Sequence, residues 1–290
     1  MHPAARRVAL AGLRALPKHL LSRLAGRAAE VRLPKPLQGW AMRSFGRAVG
    51  VDFTEIGDPI ESFASLQAFF TRTLRAGVRP IDSATDAVVA PCDGQWGMSG
   101  TVTGRTVLQV KGRAYSLDAL LGDALRASDF DGGAYATFYL APRDYHRFHM
   151  PCAARVRGAS YIPGALWPVN RLGVDHLDGL FARNERVCAY FAVDGDAIDL
   201  CLVAVGATLV GSVRVTFDDL RTNRSGRRLD RVYAEAAAPW FAKGDEWGRF
   251  EFGSTIVMLA APGRMRIDGQ PAGSRLLLGE RIGTLGWKGS

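Results

Sequence analysis

Three short segments of the 290-residue chain carry side chains able to do chemistry. The first is Pro91-Cys92-Asp93-Gly94. The second is Tyr145-His146-Arg147-Phe148-His149-Met150-Pro151, with two of the five histidines. The third is Phe252-Gly253-Ser254-Thr255, which enters the apolar run 256–260. Asp93, His149 and Ser254 are the members of a Ser–His–Asp relay. In such a relay the histidine takes the hydroxyl proton and the carboxylate fixes its tautomer. Gly253 leaves its own carbonyl unshielded on one side, so the serine after it can attack backwards. Each segment also has a plainer reading. Asp-Gly is an ordinary turn, and so is Gly-Ser-Thr before a strand. The G-x-S-x-G elbow of α/β hydrolases is absent, because position 252 is Phe.

The two histidines are three residues apart. On an extended strand they face opposite sides and do different jobs. On a helix they share a face, and Cys152 continues the row as a metal site. Pro142 and Pro151 oppose the helix, and no third or fourth ligand stands out, so no metal is expected. Cys92, Cys152, Cys188 and Cys201 form no C-x-x-C pair and read as reduced thiols.

Only a fold can bring these groups together. From residue 88 onward short β-type runs dominate: 134–140, 186–193, 197–205, 208–217, 255–260 and 264–267. Asp194-Gly195 is a hairpin signal. One helix is expected around 116–121. Helices do not alternate regularly with strands, so the expected class is α+β, a mainly antiparallel β body with N-terminal amphipathic helices. A helix is expected over 62–74, with Phe63, Leu66, Phe70 and Leu74 buried.

The first fifty residues differ from the rest. They hold ten basic side chains and one acid, Glu30, whereas the other 240 hold 27 of each sign. Pro17 opens one helix carrying Leu20, Leu21, Leu24, Ala25 and Ala28. A second helix carries Leu37, Trp40, Ala41, Ser44, Phe45 and Ala48, flanked by Arg43 and Arg47. An apolar stripe with a basic flank suits a helix lying in a membrane interface; the alternative is packing on the protein's own core. The expected division is therefore 1–50, a basic membrane-docking arm, and 51–290, a β-rich catalytic domain. The longest uncharged apolar stretch, 200–213, is too short to span a bilayer. Arg14 and Lys18 break the apolar start, against a secretory signal.

Six elements in one order resemble the phosphatidylserine decarboxylase family of the short bacterial type. They are Phe70-Thr71-Arg72 with Arg79-Pro80; Pro91-Cys92-Asp93-Gly94; Lys111-Gly112 with Tyr115-Ser116-Leu117; the histidine segment with Val169-Asn170; Leu180-Phe181-Ala182-Arg183-Asn184-Glu185-Arg186; and Gly253-Ser254-Thr255. Phe252 stands where the family commonly has leucine.

The resemblance implies a pyruvoyl enzyme made by self-cleavage. Ser254 attacks the Gly253 carbonyl, the peptide bond becomes an ester, and elimination releases Gly253 as a new C-terminus. Water then displaces ammonia from the dehydroalanine left at 254, giving a covalent pyruvoyl group there. Asp93 and His149 serve as the relay for Ser254. The products are a β chain, 1–253, and an α chain, 254–290, held as a heterodimer. Phosphatidylserine is decarboxylated to phosphatidylethanolamine, with His146 as the acid that protonates the α carbon. The implied place is the cytoplasmic face of the cell membrane, peripherally bound to an anionic surface; a homo-oligomer stays open. Two rivals remain: a membrane-associated serine hydrolase using Asp93, His149 and Ser254, and a non-catalytic membrane-surface binding protein. A nucleic-acid partner is not expected, because no RNA or DNA module is readable.

Overall fold

Leu200–Val205 and Thr255–Ala260 are unbroken apolar runs, the pattern of strands covered on both faces. The computed structural model of the chain pairs them at the centre of its largest sheet. It describes residues 18–109, 113–169, 177–195, 197–208, 212–223, 226–251 and 255–286.

The helices are α1 (Lys18–Glu30), α2 (Lys35–Val49), α3 (Leu66–Phe70), α4 (Leu117–Leu121), α5 (Ala124–Ser128) and α6 (Leu180–Arg183). The strands begin with β1 (Ala87–Val89), β2 (Gly94–Thr101), β3 (Thr106–Gln109), β4 (Arg113–Ser116), β5 (Ala134–Tyr139) and β6 (Arg147–His149). There follow β7 (Ala154–Ile162), β8 (Arg186–Ala192), β9 (Leu200–Val205), β10 (Val213–Val215), β11 (Leu229–Val232) and β12 (Trp240–Phe241). The last are β13 (Glu246–Phe250), β14 (Thr255–Ala260), β15 (Met265–Ile267), β16 (Arg275–Leu276) and β17 (Arg281–Leu285).

The main sheet runs β11-β7-β8-β9-β14-β5-β2-β16, with β12 also on β7. Two three-stranded sheets, β1-β17-β15 and β10-β13-β6, accompany it. The ladders among the described strands are antiparallel, so the α+β expectation holds. Alternation along β14 shows the layering. Ile256, Met258 and Ala260 join a core with Phe148, Trp247 and Phe250 of the small sheet. Val257 and Leu259 join a core with Leu117, Leu120, Ala127, Leu180 and Phe181 of the short helices.

A third core belongs to the N-terminal layer. Met42, Val51, Ile56, Phe63 and Phe69 form it, with Phe45, Val49 and Phe53 packed alongside. Gly46 marks the contact face of α2: a Cβ there would lie 2.5 Å from the Phe53 ring. The stripe read on this helix therefore divides. Phe45 turns inward, while Leu37 and Trp40 face solvent, Trp40 at 65% exposure. Leu20, Leu24, Val31 and Leu33 are exposed too. Arg43 pairs with Glu61, so one of the ten basic groups is already neutralised. Residues 1–17 lie outside the described part. Among the described residues no helix is long and apolar enough to cross a membrane.

The helix expected over 62–74 is shorter. The Ser65 hydroxyl accepts from the Ala68 N–H and opens α3, and Thr71 closes it. The run stops there because Arg72 turns to the carbonyls of Arg143 and Asp144. The strand expected over 208–217 is only Val213–Val215, residues 209–211 lying outside the described part. Strand β7, absent from the expected set, is one of the longest.

Candidate active site

The register of the main sheet brings the end of the Asp93 segment and Thr255 to one edge. Gln95, Tyr139, Thr255, Val205 and Arg186 form a cross-strand row through β2, β5, β14, β9 and β8. Asp93 precedes β2 at this edge, and β14 begins there at Thr255. Phe252, Gly253 and Ser254 themselves lie outside the described residues. Gly94 is needed where it stands, because a Cβ there would lie 2.3 Å from the Tyr139 carbonyl oxygen.

The histidine segment lies against the Asp93 segment. The His149 N–H donates to the Pro91 carbonyl at 2.7 Å, and the Val89 N–H to the Pro151 carbonyl at 2.9 Å. β6 then pairs with β13, placing His149 opposite Glu246 and Arg147 opposite Arg249. The Phe250 N–H donates to the His146 carbonyl at 2.9 Å. β13 therefore ends beside His146.

The rings of His146 and His149 have separate partners. His146 is fully buried and lies 4.0 Å from the Phe70 ring, centroid to centroid. Its Nδ1 is 2.8 Å from the Asp144 carbonyl oxygen. A carbonyl only accepts, so Nδ1 carries the proton and Nε2 is a bare acceptor. That Nε2 has no partner among the described residues. Burial, and then the nearby Arg72 charge, push the His146 pKa down to about 3. The neutral ring is therefore the resting form.

His149 is half-buried. Its Nδ1 donates to the Gly244 carbonyl at 2.8 Å, and its Nε2 faces the Tyr145 hydroxyl at 3.2 Å. Burial lowers its pKa, opposed by the Gly244 hydrogen bond and Glu246. Asp93 acts on His149 only through space. The hydrogen bond expected between them is not made, because Gly244 occupies Nδ1 and Arg79 grips the carboxylate. Arg79 Nε and Nη2 lie 2.9 and 2.7 Å from the Asp93 oxygens, and the Leu278 N–H adds a third bond at 2.9 Å. The other side of Arg79 holds Glu55 at 2.7 Å.

The remaining motif residues build the scaffold. Phe70 supports His146, the Thr71 carbonyl accepts from Arg147 Nε at 2.9 Å, and Arg72 ties down Arg143 and Asp144. Ser116 caps α4. Asn184 bonds the Trp167 and Gly206 carbonyls, and Arg186 the carbonyls of Ala119, Leu120, Ala182 and Asn184. Lys111, Gly112 and Asn170 lie outside the described residues. The four cysteines are buried and free. Unforeseen in the sequence are Tyr145, the Gly244 carbonyl and the Glu251 clamp. Glu251 is buried before the 252–254 segment, with Arg214 at 2.6 Å, Arg221 at 2.5 Å and the Ser212 hydroxyl on its carboxylate.

Fold and site together define a β-rich protein with a buried neutral imidazole, His146, and an acid, Asp93, clamped by an arginine. The phosphatidylserine decarboxylase family model matches residues 66–284, and the chain belongs to that family. It is 42% identical to the phosphatidylserine decarboxylase proenzyme of Anaeromyxobacter sp. (strain K), over 96% of this chain and 98% of that one. It is 43% identical to the proenzyme of Bordetella petrii, over 91% and 92% of the two chains. With that of Delftia acidovorans the identity is 44%, over 88% and 89%.

Proposed function

We propose that the chain is a phosphatidylserine decarboxylase precursor that cleaves itself between Gly253 and Ser254. The observation that carries this reading is the buried His146, whose Nε2 has no partner among the described residues and whose carbonyl accepts from the Phe250 N–H at the end of β13. Ser254 attacks the Gly253 carbonyl, and His149 takes the hydroxyl proton at Nε2 once Tyr145 yields that position. Asp93, held by Arg79, keeps a negative charge near the imidazolium that forms.

The group left at position 254 is a pyruvoyl group. Its surroundings suit a ketone: the Thr255 hydroxyl is buried with no partner among the described residues, and His146 Nε2 is idle. When formed, that ketone takes up the substrate amine and draws electrons from the bond to the departing carboxylate. The resting His146 cannot donate, because its Nε2 carries no proton. It first accepts the proton that the substrate ammonium must lose, then returns it to the α carbon after carbon dioxide leaves.

The bilayer substrate accounts for the outward apolar side chains of α1 and α2. Exposed Leu20, Leu24, Leu37 and Trp40 enter the interface of an anionic leaflet, and basic neighbours add about 1 kcal/mol each. The protein is then peripheral, on the cytoplasmic side of the cell membrane. The 254–290 chain stays with the 1–253 chain as a heterodimer.

Denaturing electrophoresis tests the core of this reading. Purified protein should run as two chains, the smaller with a blocked, ketone-bearing N-terminus. Ser254→Ala should stay whole and inactive. A single uncut chain that decarboxylates phosphatidylserine would overturn self-cleavage as the route to activity.

A further inference from the structure

Three arginines beneath the surface make an informative set. Arg186 places all three guanidinium nitrogens on carbonyl oxygens. Arg79 places all three on Asp93, Glu55 and the Val78 carbonyl. Both are saturated, as buried charged groups usually are. Arg72 is not. It is 4% exposed, yet only Nη2 has acceptors, the carbonyls of Arg143 at 2.9 Å and Asp144 at 3.2 Å. Nε and Nη1 are buried with no partner among the described residues, and no carboxylate there lies within ion-pairing distance of Arg72.

Arg72 also has a particular neighbour. The Asp144 carbonyl that accepts from Arg72 also accepts from His146 Nδ1. The two side chains therefore hang from one oxygen, and each keeps an idle polar atom. Acids are near but engaged elsewhere. Asp93 and Glu55 share Arg79, and Asp144 accepts from the Ala141 N–H at 2.7 Å. The Phe69 ring, 5.6 Å from the guanidinium carbon, closes another side.

We propose that Arg72 is a substrate-binding residue: its idle Nε and Nη1 donate to an oxyanion of the substrate headgroup and seat the reacting carbon at His146. This deepens the decarboxylase reading and rests on it. The headgroup offers two oxyanions, the phosphodiester and the carboxylate. Charge-assisted hydrogen bonds to either supply both affinity and orientation.

The experiment uses mature enzyme in mixed micelles, with wild type alongside. Arg72→Gln should raise the KM for phosphatidylserine about 10- to 100-fold, the range for losing charged hydrogen bonds, with a smaller change in kcat. Arg72→Lys should recover part of the loss. Phosphatidylethanolamine keeps the phosphodiester and lacks the carboxylate. If its inhibition constant rises in parallel, Arg72 holds the phosphodiester; if it stays unchanged, Arg72 holds the carboxylate.

Should Arg72→Gln block maturation, the uncut Ser254→Ala chain takes its place. Glycerophosphoserine should raise its melting midpoint, and adding Arg72→Gln should erase that shift. An unchanged KM in mature Arg72→Gln, or in the uncut chain a shift that survives Arg72→Gln or is absent, means that the idle donors meet water only, and overturns the proposal. A wild-type chain that leaves phosphatidylserine untouched fails the decarboxylase reading instead; the glycerophosphoserine shift then still decides whether Arg72 binds the oxyanion.

Discussion

The N-terminal layer and the β body use similar side chains in opposite ways. In the body, β8, β9 and β14 bury every residue, and polar groups such as His146 and Arg72 are drawn inside. In the layer, α2 buries Gln38, Gly39, Met42 and Gly46 while Leu37 and Trp40 face out. Single exposed apolar side chains such as Leu125 and Val232 are ordinary, whereas a contiguous exposed apolar patch marks a face that another surface covers. The contrast teaches that burial in this chain follows the partner each face meets: its own sheets for one, an anionic lipid surface for the other in the proposed function. The layer is also joined to the body, because Phe70 of α3 carries His146.

The sharpest test of that contrast lies in the body. His146→Ala should still yield two chains yet lose about 10²–10⁴-fold in decarboxylation. His149→Ala and Asp93→Asn should instead leave the chain uncut on gels. Vesicle sedimentation should not change in any of them. Equal loss of cleavage in both histidine variants would merge the two roles.

The next largest effect belongs to the layer. Trp40→Ala with Leu37→Ala should lower binding to anionic vesicles about 10- to 100-fold, from roughly 1.5–3 kcal/mol per buried side chain partly realised. Thermal stability should hold. Met42→Ala, on the opposite face of the same helix, should do the reverse and cost about 2–5 kcal/mol of stability. Deletion should stop before Lys35, because removing all of 1–50 would strip Phe53 and Phe69 of their cover. If Trp40→Ala destabilises and Met42→Ala does not, the two faces have been assigned the wrong way round.

The smallest effect concerns acid. The His146 pKa is lowered from 6.5 to about 3 in the folded chain. Between those values the unfolded chain binds a proton that the folded chain refuses. Stability from this group is therefore complete above pH 6.5 and falls as pH drops toward 3. Urea unfolding at pH 7 and 4.5 should show a smaller loss for His146→Gln than for wild type.

Much of this was legible in the sequence. Asp93, the two histidines and the Gly-Ser-Thr site are visible because their chemistry resides in residue type. The β character of 255–260 is visible because both faces are apolar. The tautomers of His146 and His149 were not, since they depend on main-chain carbonyls of Asp144 and Gly244 that only tertiary register supplies. Arg72 and Arg79 belonged to matching segments, yet their difference lies in what each touches. The orientation of α2 was hidden because apolar residues lie on both sides. Its signal was Gly46 one turn after Met42, a position where the Phe53 ring comes too close for a side chain.

Strand β14 sits between β5 and β9, and β16 and β17 lie on β2 and β1. In the proposed division, β14, β16 and β17 of the shorter piece thus each pair with strands of the longer one. The proposed cut before β14 changes the molecularity of folding without changing the fold. The uncut chain refolds as one molecule, whereas a protein cut at the proposed site has to reassemble from two, so its stability depends on concentration by mass action. Maturation then acts as a ratchet: the chain folds while continuous, and afterwards its persistence rests on the slowness of pulling a central strand out.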